Sequence, residues 1–144
     1  MAGMYGESTH SIDSKGRISL PSKYRKVLPD DLVIVTSIDT RFPSLEIYSP
    51  DGFDAFRDSV FARDGGYQPL SSKHIDLSNK LNSRASSISL DSAGRINIPP
   101  KRREDAGLDK DVVLVGNGNH ISVFDASVYE KYQEHLDEID VVGE

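Results

Sequence analysis

The sequence predicts a β-rich α+β fold in which two tandem repeats with short helices form a pseudo-dimer within one chain. The first observation is a thirteen-residue stretch that occurs at residues 13–25 and again at residues 91–103, an offset of 78 positions (91 − 13). Asp, Ser, Gly, Arg, Ile, Pro, Lys and Arg recur at equivalent places in both copies. The second observation is size, because a repeat of about 45 residues rarely buries enough apolar surface to fold alone. The two copies are therefore expected to share one core.

The repeated stretch begins with a turn in both copies. Asp13 and Gly16 in the first copy, like Asp91 and Gly94 in the second, are the residue types of a turn, because Asp bonds the local backbone and Gly accepts a positive φ. A strand over residues 5–12 is expected to lead into the first turn. These four residues are therefore predicted to be structural.

After the first turn, polar and apolar residues alternate, which predicts a short strand. This strand turns Ile18 and Leu20 towards the core and Arg17 to the opposite side. Pro21 then occupies the place of a first helical residue. Apolar side chains at positions 24, 27 and 28 follow with helical spacing, which predicts a short helix.

Two further strands and a helix are expected to complete each repeat. The strands are residues 32–35 and 45–48 in the first copy and residues 112–115 and 121–124 in the second. The sequence Gly116-Asn117-Gly118-Asn119 is typical of a tight turn between the last two. Aromatic residues recur in the closing helices, as Phe53 and Phe56 and then as Tyr129 and Tyr132.

These elements divide the chain into four predicted segments. They are a first repeat domain at residues 5–50, a helix and connector at 51–82, a second repeat domain at 83–126, and a C-terminal helix with an acidic tail at 127–144. Within the connector, Leu77 and Leu81 indicate a short helix.

The formal net charge of −6 is concentrated in the C-terminal segment. Residues 125–144 hold seven acids and one base, which gives −6 (1 − 7) and leaves residues 1–124 neutral. Residues 13–26 carry five bases against one acid, and residues 91–103 carry four against one. Because binding follows the local field more than the total charge, each repeat is predicted to present a positive patch to an anionic partner such as nucleic acid.

Several classes of function lack the residues that they need. The chain has no cysteine, which excludes disulfides and fits a reducing compartment. The four histidines, His10, His74, His120 and His135, have no metal-ligand spacing and are expected at the surface or in turns. No serine has a nucleophile-elbow context, no apolar run approaches the roughly 20 residues of a membrane helix, and no signal peptide is recognisable. We therefore expect a soluble cytoplasmic protein without metal, cofactor or enzymatic activity.

Two copies of the pattern Asp-x-x-Gly-Arg-aliphatic-x-aliphatic-Pro-x-x-x-Arg, about 80 residues apart, resemble the MraZ family. Members of that family consist of two domains similar to SpoVT/AbrB-type swapped-hairpin DNA-binding domains. The resemblance covers residues 5–132 and implies an intertwined pseudo-dimer that assembles into rings. It also implies a nucleoid-associated bacterial transcriptional regulator. Such a regulator binds repeated short elements of double-stranded DNA upstream of its own operon, the division and cell-wall cluster.

The same resemblance assigns DNA contacts to particular cations. In AbrB-type domains these include the arginine after the turn glycine, cations near the start of the next helix, and a cation three residues before the turn aspartate. The candidate DNA-binding residues are then His10, Lys15, Arg17, Lys23, Arg25, Lys26, Arg95, Lys101 and Arg103. In the second copy Ala93 replaces Lys15 and Glu104 replaces Lys26, while Ile88 replaces His10. The first copy is therefore expected to make most DNA contacts and the second to contribute to the core and the ring.

Arg17 is the leading candidate, because an outward guanidinium can fork onto guanine O6 and N7 or onto a phosphate. A structural ion pair with Asp13 explains the residue equally well from the sequence alone, and the two roles can coexist.

For the lysines the alternative is a solvated helix face. For the whole protein the alternative is an oligomeric protein-interaction scaffold whose basic patch binds an acidic partner.

Overall fold

The computed structural model describes residues 3–141. Its strands are β1 (Met4–Ser11), β2 (Arg17–Ser19), β3 (Asp31–Thr36), β4 (Leu45–Tyr48), β5 (Ala85–Ser89), β6 (Arg95–Asn97), β7 (Asp111–Gly118) and β8 (Ile121–Asp125). Its helices are α1 (Ser22–Arg25), α2 (Pro50–Phe61), α3 (Ser72–Ser83), α4 (Pro100–Ala106) and α5 (Ala126–Asp137), with a 3₁₀ turn at Ala62–Asp64. The same order of elements occurs twice, which confirms the predicted β-rich α+β fold of two tandem repeats.

Strands of the two repeats interleave in one antiparallel six-stranded sheet of order β1-β7-β8-β4-β3-β5. Strand β1 of the first repeat pairs with β7 of the second, with Met4 opposite Gly118 and Ser11 opposite Asp111. Strand β5 of the second repeat pairs with β3 of the first. The first strand of each repeat thus completes the hairpin of the other, and this exchange is the intertwined pseudo-dimer expected from the sequence.

A separate two-stranded ribbon, β2–β6, joins the repeats at their shared motif. Ile18 lies opposite Ile96, and the two side chains are 1% and 0% exposed. They belong, with Leu20, to a single apolar cluster drawn from both repeats. The inward orientation predicted for Ile18 and Leu20 is therefore confirmed. Because each repeat supplies only part of this cluster, the two are expected to fold together.

Main-chain hydrogen bonds tie the end of each ribbon strand to the turn of the other repeat. Leu20 N–H donates to Gly94 O over 3.0 Å. The equivalent bond runs from Ile98 N–H to Gly16 O over 2.9 Å. The two turns and the ribbon consequently form one continuous unit.

The turn predicted at Gly116-Asn117-Gly118-Asn119 is wrong in position. Strand β7 continues to Gly118, and only residues 119 and 120 connect it to β8. A Cβ added to Gly116 would lie 2.5 Å from Tyr5 N and 2.6 Å from Met4 C. Glycine at 116 therefore permits the close approach of β1, a contact with a distant segment that the local sequence does not reveal.

His74 organises the connector between α2 and α3. The surface or turn position expected for it is wrong, because it lies in helix α3 and is 4% exposed. Its Nδ1 accepts the Gln68 N–H at 2.9 Å, and its Nε2 lies 2.8 Å from Asp64 Oδ2. Because Nδ1 is the acceptor, Nε2 carries the proton and donates it to the carboxylate. This bond is the largest cause that holds the pKa of Asp64 below its ordinary value.

The segment predicted as a C-terminal helix with an acidic tail, residues 127–144, includes helix α5 from its second residue onwards. It is described as far as Val141, and residues 142–144, which include Glu144, lie outside the described part of the chain. None of the helices within residues 3–141 combines the length and the hydropathy needed to cross a membrane.

The different roles of two neighbouring glycines can be tested by alanine substitution. Gly116→Ala should lower the free energy of unfolding by about 3 kcal/mol, because the new methyl group meets the main chain of β1. Gly118→Ala is the matched control: a Cβ there has open space, but φ is +86°, which costs about 1 kcal/mol. Urea denaturation would measure both. A larger loss at position 118 would contradict the close-approach explanation.

Candidate nucleic-acid interface

The ribbon β2–β6 presents a polar face on the side away from its buried isoleucines. Arg17 lies directly opposite Asn97, and Ser19 lies directly opposite Arg95. Ser19 and Asn97 are exposed, and the two arginine side chains are 27% and 35% exposed. Because alternate strand residues face opposite sides, all four share the outward surface. One arginine from each repeat therefore lies on the same exposed face.

Each ribbon arginine is held by the aspartate of its own turn. Arg17 Nε donates to Asp13 Oδ2 at 2.8 Å, and the Arg17 main-chain N–H donates to Asp13 Oδ1 at 2.9 Å. Arg95 makes the same two bonds to Asp91, both at 2.9 Å. The main-chain bond first, and then the guanidinium, hold the pKa of each aspartate below its ordinary value.

The ion pair considered for Arg17 is therefore present, and it orients the side chain without using all of it. The bond to Asp13 is made by Nε, so the two terminal nitrogens of the guanidinium are not occupied by this carboxylate. An exposed pair of this kind contributes little to stability. Its main effect is to fix the direction in which the guanidinium points.

The last arginine of each motif crosses to the turn of the other repeat. A Cβ added to Gly94 would lie 2.6 Å from Arg25 Cδ, and a Cβ added to Gly16 would lie 2.9 Å from Arg103 Cζ. Both glycines also have a positive φ, of +77° and +82° respectively. Arg25 and Arg103 thus cover the turns that precede the ribbon arginines, and they place two further cations beside the ribbon.

The lysines of the candidate set lie on different surfaces. Lys15 is exposed within the first turn, beside the ribbon. Lys23 Nζ instead donates to Tyr5 O at 3.2 Å. Tyr5 is near the start of β1, about 20 Å along the strand from the turn. Lys101 is paired with acids of its own helix. The structure therefore brings Lys15 together with the turn arginines but leaves Lys23 on a flank.

His10 and Lys26 lie outside the ribbon and its two turns. His10 is half-buried on β1 opposite Val112, with its Nε2 2.8 Å from Ser8 Oγ, and burial lowers the pKa of the imidazole. Lys26 is exposed at the C-terminal end of α1. Ile88, the counterpart of His10, is 8% exposed and belongs to the core. At this position the second repeat has a core residue where the first has a polar one.

The site residues predicted from the sequence do not include Asn97, Ser19 or Arg102. The strand alternation that placed Arg17 outward also places Asn97 and Ser19 outward, so the signal for these two was present. Arg102 occupies the repeat position of Tyr24, and both residues are buried. The available signal for Arg102 was its alignment with Tyr24, an aromatic residue expected in the core.

A second polar cluster lies in a cavity of about 490 Å³ lined by α2, α5 and the sheet. Ser122 Oγ donates to Glu46 Oε1 at 2.6 Å, and His120 Nε2 lies 3.2 Å from the same oxygen. The hydroxyl and the imidazole thus share one carboxylate and are not bonded to each other, unlike the serine and histidine of a nucleophilic site. Within residues 3–141, no group of three or more His, Asp or Glu could hold a metal ion.

The chain matches the family model described as "MraZ protein, putative antitoxin-like" at residues 4–64 and again at residues 81–142. The relatives that carry the name "Transcriptional regulator MraZ" include proteins from several bacteria. The protein of Treponema denticola is 35% identical over 130 residues, which is 90% of this chain and 86% of that protein. The protein of Cutibacterium acnes is 36% identical over 134 residues, with coverage of 92% and 89%. The protein of Mycoplasmoides gallisepticum is 32% identical over 130 residues, with coverage of 90% and 86%.

The double match follows the internal repeat seen in the fold. Each matched segment contains one copy of the turn, the ribbon strand and the arginine that crosses to the other turn. With this match and with relatives of this identity along nine-tenths of its length, the chain belongs to the MraZ family.

Proposed function

We propose that this chain is a DNA-binding transcriptional regulator that contacts DNA with the β2–β6 ribbon and its two turns. The observation that carries the proposal is the single exposed face on which Arg17 and Arg95 lie opposite Asn97 and Ser19. A two-stranded ribbon has the dimensions to enter the major groove of B-DNA. The name of the relatives, transcriptional regulators, supports the same function.

The residue types on this face suit direct recognition of bases. Arginine pairs with guanine O6 and N7, and asparagine pairs with adenine N6 and N7. The serine hydroxyl can form a hydrogen bond with a donor or an acceptor on a base edge. Asp13 and Asp91 hold the two arginines in place before DNA arrives, which lowers the entropy cost of binding. Around the face, the cations Lys15, Arg25 and Arg103 would neutralise phosphates, and Lys26, which follows Arg25 in the chain, would add to them.

The proposed regulator acts as a ring-shaped homo-oligomer on repeated elements upstream of its own operon, the division and cell-wall cluster. One chain offers few phosphate contacts, so it would bind weakly at physiological salt. Several chains bound to several repeats gain from effective concentration. The exposed apolar side chains Tyr67, Leu70 and Ile75 on the connector provide a surface for such association. A protein of this kind would be found on the nucleoid.

The first test is the substitution Arg17→Ala. It should weaken binding to the protein's own upstream DNA by about 10- to 100-fold, because one forked base contact is lost. Fluorescence anisotropy across a salt series, with scrambled DNA as competitor, would measure the loss, and size-exclusion chromatography would show that the assembly is intact. Arg41→Ala is the matched control, since Arg41 also pairs with an exposed aspartate, Asp39, but lies away from the ribbon.

Unchanged affinity of the Arg17 variant would contradict the proposed interface. Equal and weak binding of the wild type to native and scrambled DNA would contradict sequence-specific regulation itself. The oligomeric scaffold with an acidic protein partner would then be the better explanation of the basic patch.

The difference between the two repeats gives a second test. Arg17→Ala should weaken binding more than Arg95→Ala, because Lys15 accompanies Arg17 whereas Ala93 accompanies Arg95. Equal losses in the two variants would show that the repeats contribute equally.

The gain-of-function variant Ala93→Lys restores the missing lysine in the second turn. It should tighten binding and steepen the log–log salt dependence by about 0.9 for the added phosphate contact. Ala62→Lys adds the same charge on the connector and should leave the slope unchanged. A steeper slope in both variants would indicate a general effect of net charge rather than a contact at the turn.

A further inference from the structure

The two repeats differ sharply at the buried position that follows Lys23 in the first motif and Lys101 in the second. In the first repeat Tyr24 is 0% exposed, and its hydroxyl donates to the main-chain oxygens of Tyr5 and Gly6 at 3.0 and 3.2 Å. In the second repeat the same position holds Arg102, which is 7% exposed. A neutral aromatic whose hydroxyl is hydrogen-bonded is thus replaced by a buried cation.

Arg102 lacks the acceptors that a buried guanidinium requires. Its Nε and Nη1 are buried and have no hydrogen-bond partner among the described residues. The nearest acid is Asp105, whose Oδ2 lies 3.4 Å from Nη1 without a hydrogen bond. The same oxygen accepts the hydroxyl of Thr36 at 2.7 Å. Since buried charges are normally paired and hydrogen-bonded, these donors are unusual.

Arg102 lines a cavity of about 460 Å³, and the repeat comparison explains why the cavity exists. Strand β1 begins at Met4 and covers Tyr24 with its first residues. The equivalent of Met4 is Asn82, but there the chain is still in helix α3, and β5 begins only at Ala85. The second repeat therefore lacks the strand residues that fill this space in the first.

The lining of the cavity is mainly cationic and rich in hydroxyl donors. It consists of Thr36, Ser83, Arg84, Lys101, Arg102 and Asp105. The three cations outnumber the single carboxylate of the lining, and Asp105 already accepts from Thr36 and lies 3.6 Å from Lys101. Glu104 follows Arg103 on the same helix and pairs with Lys101 at 3.4 Å. Its carboxylate therefore does not offset the charges of Arg84 and Arg102.

We propose that this cavity is an anion-binding site in which Arg102, assisted by Arg84 and Lys101, holds a phosphate group. Arginine matches tetrahedral oxyanions through charge-assisted, often bidentate hydrogen bonds. The Ser83 hydroxyl, whose bond to Lys80 O is long at 3.4 Å, can donate to the same oxygens, whereas the Thr36 hydroxyl is engaged by Asp105. The site is distinct from the ribbon face, since its residues come from α3, α4 and the end of β3.

The test uses inorganic phosphate as the probe and the full-length protein without DNA. Phosphate should raise the Tm of the wild type more than sodium chloride at equal ionic strength, and isothermal titration should show saturable binding. Arg102→Met should bind phosphate at least about tenfold more weakly, because the charge-assisted bonds are lost. Arg84→Gln changes an exposed wall residue, tests the same site without disturbing the core, and should also weaken binding. Arg41→Met is the control and should bind as the wild type does.

Two results would overturn the proposal: no stabilisation by phosphate beyond that of chloride, or equal stabilisation of the wild type and both site variants. The phosphate group could come from a small molecule or from the DNA backbone. Measuring DNA binding of the Arg102→Met protein across the salt series distinguishes these two sources. An unchanged slope would indicate a free phosphate or a phosphorylated small molecule. A slope shallower by about 0.9 would indicate a phosphate of the DNA backbone.

Discussion

The packing of an arginine on the turn glycine of the other repeat is the contact on which the proposed DNA-binding surface depends. Gly16 and Gly94 have a positive φ and also have no room for a Cβ. A side chain at either position would strain the main chain and displace the arginine that covers it. Because the ribbon strand follows each turn directly, and its isoleucine enters the shared core, the packing of the core fixes where Arg17 and Arg95 lie.

The turn aspartates add orientation to this framework rather than stability. Their pKa values are lowered, so both carboxyls remain ionised at neutral pH and lose their arginine contacts only as the pH falls through the lowered pKa, below the ordinary value of about 3.9. Stability linked to these groups is therefore fully present above the ordinary value. Since the aspartates are exposed, solvent screens the two ion pairs, and these contribute little to stability. Their main effect is to fix the direction of each guanidinium group.

The sequence allowed the repeat architecture to be predicted from a motif that recurs 78 positions later. It allowed the inward and outward faces of the ribbon to be predicted from the alternation of polar and apolar residues. It did not reveal that Arg25 covers Gly94, or that Lys23 reaches Tyr5 O, since these contacts join residues far apart in the chain. Gly116 was assigned to a turn for the same reason. Glycine serves both for a positive φ and for a close approach, and only the tertiary structure distinguishes these uses.

The fusion of two repeats in one chain allows differences that a homodimer of identical subunits could not have. In a symmetric dimer, Tyr24 and Arg102 would be the same residue, and a buried guanidinium with two nitrogens that make no hydrogen bond would occur twice. Here one repeat keeps the closed, neutral arrangement, and the other carries the cavity. The same freedom gives Lys15 in one turn and Ala93 in the other, and Ser19 and Asn97 at equivalent positions of the ribbon. In the proposed interface the ribbon therefore has a more basic end and a less basic end, so each chain would bind DNA in one direction.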